Sequence, residues 1–119
     1  MSRTATTIMA YGIYALGAGA GFLFFPDMIL GLFGFEPRSD HWILVVAILT
    51  LGLAYYYISS ARAENRHFFD ISWKGRIWFF VAVTALAISG QAPWNLVMVG
   101  SVDLITAIWT AVTLRSEAS

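Results

Sequence analysis

The residue whose type and position most demand a chemical explanation is Asp103. It stands near the middle of an apolar run from Asn95 to Leu114. A carboxylate at the centre of a bilayer costs about 2.5–3.5 kcal/mol on an insertion scale. Its carboxyl must therefore face a protein interior, be paired, or be protonated. Spacings of three and four residues put Gly100, Ala107, Thr110 and Leu114 on the same helical face. That stripe is small or polar, as the inward face of a membrane bundle should be. Two roles suit such a group: a polar clamp between helices, or a site for a proton, cation or ligand. Depth counted from the inner end of each apolar run, at about 1.5 Å per residue, puts Gly17, Thr50 and Ala82 to Thr84 at its level. Arg76 falls about two turns lower, so a direct Arg76–Asp103 bridge is strained unless the guanidinium snorkels inward. Thr50, Tyr14, Tyr55 or a trapped water are the expected partners. The candidate buried polar or ligand site is thus Asp103, Thr50, Tyr14, Tyr55, Arg76 and Thr110.

Other residues carry less. Tyr55-Tyr56-Tyr57 point to different sides of one helix. One or two of them suit the membrane interface, where a ring with a polar tip belongs, and the other is expected to face the Asp103 stripe. The stretch Ala61 to Asp70 mixes charges with aromatics and reads as a middle loop. Its neighbours suit contact with anionic headgroups or a docking partner. His41 and His67 are lone histidines. With no cysteines and no metal-ligand spacing, no metal site is expected, and no thiol chemistry is possible. Phosphate-binding glycine loops, nucleophile elbows and paired carboxylates are likewise absent. No cofactor and no catalytic residue is assigned. A net charge of zero provides no field favouring nucleic acid.

The elements that must position Asp103 follow from composition. The chain of 119 residues is 59% hydrophobic and 12% charged, against about 45–50% and about 25% in soluble domains. A soluble domain this small has too much surface to hide so many apolar groups. Apolar runs over residues 7–25, 42–60, 73–90 and 95–114 each approach the roughly 20 residues a spanning helix needs. The expected fold is all-α: a single domain forming an integral membrane four-helix bundle. The first run is long for a signal peptide, and Tyr11 and Tyr14 within it suit a bundle helix. After it, Pro26 and Asp27 mark a helix start. The segment to Phe35 is too short to cross, and is expected to lie in the interface on Met28, Ile29, Leu32 and Phe33. Gly17 and Gly21 form a GxxxG pair, a helix-packing face for a neighbour in the chain or for a second copy.

Four crossings put both termini and the middle loop on one side. That side holds Arg3, Arg62, Arg66, Lys74, Arg76 and Arg115, and the other only Arg38. Basic residues favour the cytoplasm, so both termini are expected there. Trp42 and Trp94 at the outer ends, with Trp73 and Trp78 near an inner end, match aromatic belts.

The tracts Leu53 to Tyr57, Ala61 to Glu64, Phe68-Phe69 and Lys74 to Arg76 resemble a group of small bacterial membrane proteins. So do Ala92-Pro93, Gly100 to Asp103, and the ending Ile108 to Arg115. These are the BphX-like proteins, related in outline to the DoxX-like group. The resemblance covers about the C-terminal two-thirds. It implies a four-span bundle in a bacterial inner membrane and gives no residue a role. Three functions are consistent with these features. The leading one is a non-enzymatic subunit that assembles with itself or with a larger membrane complex in the lipid bilayer. The others are a small proton- or cation-coupled transporter component using Asp103, and a protein that binds or acts on an apolar, lipid-like ligand.

Overall fold

The computed structural model describes residues 1–36 and 41–118, so Arg38 and Asp40 lie outside the described residues. The described chain is all-α, with α1 Arg3–Phe24, α2 Pro26–Leu32, α3 Trp42–Arg62, α4 Arg66–Ile88 and α5 Asn95–Ala118. Four of these helices are long and apolar enough to cross a membrane. Their 21 to 24 residues correspond to about 32–36 Å of helix, against a hydrocarbon core of about 30 Å.

Local chemistry sets the helix ends. The Ser2 hydroxyl caps α1 by accepting from the Ala5 amide at 3.0 Å. Asn65 caps α4 in the same way through the Phe68 amide at 3.2 Å. Pro26 opens α2 with Asp27 in its first turn. The helices α2, α3 and α4 close in one manner: the amides of Phe35, Asn65 and Gln91 reach back to the carbonyls of Leu30, Ser60 and Leu86. This closure needs a left-handed residue. Gly34 and Gly90 supply it, but after α3 the position is held by Glu64 at φ 54°.

Two expected boundaries shift. Helix α1 starts at Arg3 rather than Thr7, because Ser2 provides the cap. Helix α4 starts at Arg66 rather than Trp73, because Asn65 provides another. The expected middle loop thereby shrinks to Ala63-Glu64-Asn65. Phe68 and Phe69 join α4, where Phe69 is fully buried. Lys74 pairs with Asp70 one turn earlier at 3.0 Å.

Helix α1 packs mainly on α3 and more lightly on α5, and α4 packs mainly on α5. Gly12 and Gly19 let α1 and α3 approach closely. A Cβ on Gly12 would stand 2.8 Å from Ile58, and one on Gly19 would stand 2.9 Å from Leu51. Gly100 does the same for α5 against Val83 of α4, at 2.8 Å. Small residues fill the core between helices: Ala5, Ala15, Ala47, Ala54, Ala61 and Ala107 are all buried. By contrast α3 and α4, although consecutive, touch little. The outside is apolar, with Leu49 65%, Ile105 67% and Val112 62% exposed.

One end of the bundle is clasped by polar contacts. Glu64 accepts from the Ser2 amide at 2.7 Å and from its hydroxyl at 2.9 Å. Glu117 accepts from the Thr4 amide at 2.6 Å and pairs with Arg66 at 2.8 Å. Both termini and the α3–α4 turn therefore share this end. At the other end, the Asn95 side chain donates to the Phe33 carbonyl at 2.9 Å, tying α5 to the segment after α2.

Candidate functional site

Asp103, Ala107 and Thr110 are buried on one face of α5, and Gly100 with them. The α1 stripe that meets this face is Thr4, Thr7, Tyr11 and Ala15, all buried. Its three- and four-residue spacing is the same as that of the α5 stripe, so the two polar faces run along each other. The Tyr11 hydroxyl donates to Asp103 Oδ1 at 2.9 Å. Lower in the bundle, the hydroxyls of Thr7 and Thr110 lie 2.8 Å apart, and the Thr7 hydroxyl also reaches the Thr4 carbonyl at 2.7 Å.

Arg76 joins these faces from α4. It is only 3% exposed. Its Nη2 donates to the Thr110 hydroxyl at 2.9 Å, and its Nε donates to the Ser72 carbonyl at 3.3 Å. The guanidinium carbon sits 4.8 Å from the Tyr11 ring centroid and 5.5 Å from that of Tyr57. These are cation–π distances. Nη1 has no hydrogen-bond partner among the described residues. Arg76 and Asp103 do not form an ion pair. Tyr11 mediates between them, with its ring toward the cation and its hydroxyl on the carboxylate.

The aromatic cluster continues outward. The rings of Tyr11 and Tyr57 are 4.7 Å apart between centroids, those of Tyr11 and Tyr14 are 5.7 Å apart, and those of Tyr57 and Phe68 are 4.9 Å apart. Arg76, Asp103 and these tyrosines line a cavity of about 560 Å³, within the range of about 300–1,000 Å³ common for small-ligand sites. Its walls are Leu49, Thr50 and Leu53 of α3 and Ile71, Gly75 and Phe79 of α4. The cavity thus occupies the seam where α3 and α4 fail to pack. Its mouth is apolar and its floor carries one cation and one carboxylate.

The structure brings together Asp103, Arg76 and Thr110, with Tyr14 and Thr50 on the cavity wall. Thr50 spends its hydroxyl proton on the Val46 carbonyl at 2.7 Å and does not bond Asp103. Tyr55 does not join them. It is 68% exposed, and Tyr57, two residues on, takes the inward position. Tyr11, Thr7 and Ser72 belong to the site without having been expected there, and Tyr57 is the member of the tyrosine run that faces inward. The expected partners of Asp103 came from depth alone, with α1 taken to begin at Thr7. The Tyr11 side chain reaches Asp103 across a difference in depth that counting by residue alone treats as too large.

The GxxxG pair divides. Gly21 faces Ile29 of α2, 2.8 Å from where a Cβ would stand, while Gly17 meets nothing within 4 Å. His41 and His67 are exposed at the starts of α3 and α4. Among the described residues no group of three or more histidine or acidic side chains is placed to hold a metal. The chain matches no family profile, no curated protein and no solved structure.

Proposed function

We propose that the chain is a non-enzymatic, multi-pass membrane protein that holds an amphiphile in the seam between α3 and α4. The observation that carries this reading is the seam cavity itself. Its walls are apolar and exposed at the mouth, and its floor is Tyr11, Arg76 and Asp103. In a bilayer such a seam opens sideways to lipid, so a ligand enters by its chain and leads its polar head to the charged floor. Four long apolar helices and an apolar exterior support the membrane setting. Arg3, Arg62, Arg66 and Arg115 cluster at the end that holds both termini, which supports a cytoplasmic placement of that end. A bacterial inner membrane, and the kinship with BphX-like proteins, are part of the proposal and rest on the sequence tracts alone.

A cation-coupled role for Asp103 draws less support. A cation approaching Asp103 from the cavity meets the Arg76 guanidinium on the same floor. Self-assembly through a GxxxG face draws less as well, since Ile29 already fills the space beside Gly21.

Gly75 gives a direct test. It lines the cavity, and a Cβ there meets nothing within 4 Å. Gly75→Phe therefore starts a bulky side chain at the seam with no clash at its Cβ. Lipid extracted from purified wild-type protein should contain one amphiphile in near-stoichiometric amount that Gly75→Phe loses. Identical lipid content in the two proteins overturns the reading.

A further inference from the structure

The floor of the seam also bears on the head group, an inference that rests on the amphiphile reading above. Two charged groups of opposite sign line one small space. Arg76 has an unpartnered donor at Nη1 and is 3% exposed. Asp103 is 8% exposed, and Tyr11 is the donor that reaches it among the described residues. An ionised carboxylate can accept about four hydrogen bonds, so Asp103 retains accepting capacity. The floor therefore offers a donor and an acceptor together, with no net charge between them.

We propose that the seam selects an uncharged, hydroxyl-bearing head on a single apolar chain, such as a monoacylglycerol or a long-chain alcohol. A hydroxyl both accepts and donates. Its oxygen accepts a hydrogen bond from the Arg76 guanidinium, and its own hydroxyl donates a hydrogen bond to the Asp103 carboxylate. Charged heads fit less well in this low-dielectric place. A carboxylate or phosphate is drawn by Arg76 but repelled by Asp103, and a quaternary ammonium meets the reverse. A quaternary ammonium also has no proton to give and no lone pair to take one. The cavity of about 560 Å³ suits one chain with a small head. The tyrosine rings around Arg76 hold the guanidinium in place before the ligand arrives.

Three photoactivatable probes test this on the full chain in phosphatidylcholine nanodiscs. They share one diazirine-bearing acyl chain and differ only in a glyceryl, carboxylate or trimethylammonium head. The pH is kept alkaline enough to ionise the carboxylate probe. Labelled peptides are mapped by mass spectrometry. The glyceryl probe should label residues 46–53 and 71–79 about tenfold more than either charged probe, a discrimination of about 1.4 kcal/mol. Asp103→Asn leaves the floor positive and should shift preference toward the carboxylate head. Arg76→Gln leaves it negative and should shift preference toward the ammonium head. A merely structural role for either residue does not produce opposite shifts. Equal labelling by all three heads in wild type, or a charged head labelling best, overturns the head-group inference and leaves the seam as a ligand site. No probe labelling the seam above the outer face of α5 overturns the amphiphile reading itself. The wild-type comparison needs no variant, so misfolding of a variant does not rescue the proposal.

Discussion

The phenol of Tyr11 serves two charges at once. Its hydroxyl donates to Asp103 Oδ1 at 2.9 Å, and its ring face lies 4.8 Å from the Arg76 guanidinium carbon. Through this one side chain α1 holds a cation of α4 and an anion of α5 in a common environment. A direct ion pair would occupy donors of the guanidinium and acceptor sites of the carboxylate with each other. With tyrosine mediating, the charges still offset each other while Nη1 stays unpartnered. The same arrangement explains how three helices share polar residues in a core otherwise built from alanines together with Ile8, Phe69 and Val83.

Tyr11→Phe tests that relationship with little change in packing. The ring and its contact with Arg76 stay, but Asp103 loses its donor. Leaving a buried partner unsatisfied costs about 1–3 kcal/mol, and that is the expected loss in reversible unfolding from mixed micelles. A double-mutant cycle with Asp103→Asn should return a coupling of about 0.6 kcal/mol, the average for hydrogen bonds between membrane helices, and no more than about 1.7 kcal/mol. A coupling of zero would mean that the two groups do not interact.

Thr110 anchors the lower half of the network. Thr110→Val keeps shape but removes the acceptor of Arg76 Nη2 and the neighbour of the Thr7 hydroxyl. The expected cost is again about 1–3 kcal/mol. Thr7→Val should cost less, because the bond from Arg76 to Thr110 survives it. The two changes touch one network, so the double variant should lose less than the sum. Strict additivity in the same unfolding assay would separate Thr7 from the Arg76 network.

Much of this arrangement is present in the order of residues. The inward face of α5 follows from Asp103 and its neighbours at three- and four-residue spacing, and four long apolar helices follow from the four runs. The polar stripe of α1 has the same spacing, Thr4, Thr7, Tyr11 and Tyr14, and was legible on the same grounds. Depth counting hid it, because a span counted from Thr7 omits Thr4, and a count by residue sets Tyr11 well below Asp103 although its side chain reaches the carboxylate. The start of α4 was hidden for a similar reason. Charged residues from Arg66 to Asp70 look like a loop in a hydropathy scan, whereas Asn65 marks a helix cap. The seam was not legible at all. It depends on which helices become neighbours, and the α1–α3 approach that opens it turns on glycines 12 and 19 rather than 17 and 21. Spacing puts each pair on one helical face, and the GxxxG spacing of 17 and 21 does not say which face meets α3.

That difference among glycines can be measured. A Cβ at Gly19 would lie 2.9 Å from two carbons of Leu51 and 3.2 Å from the Ala47 carbonyl oxygen. The carbonyl cannot yield without moving α3. Gly19→Ala should therefore destabilise by about 1–3 kcal/mol, as overpacking does. Gly17→Ala meets open space and should be neutral or slightly stabilising, since alanine is the better helix former. Thermal unfolding of the two variants side by side checks this. Equal effects would contradict the close α1–α3 contact at Gly19.

The clasp at the terminal end gives a pH dependence of defined sign. Hydrogen bonds from the Ser2 amide, and then from its hydroxyl, hold the Glu64 carboxyl below its usual value of 4.5. A carboxyl with a lowered folded pKa contributes its stabilisation fully above the unfolded value and loses it as pH falls through the folded one. The clasp should therefore be intact at neutral pH and release only in acid, below the ordinary glutamate range. Glu64 is fully exposed, so the effect is local and does not unfold the bundle. Carbon-detected NMR of the Glu64 carboxyl should show a midpoint below 4.5. Ser2→Ala should raise that midpoint only part of the way, because the backbone amide, the larger influence, remains. Glu64→Gln should abolish the acid release of the Ser2 amide, read by hydrogen exchange corrected for its intrinsic pH dependence. A Glu64 midpoint unmoved by Ser2→Ala, together with an ordinary value in wild type, would show that the clasp does not form.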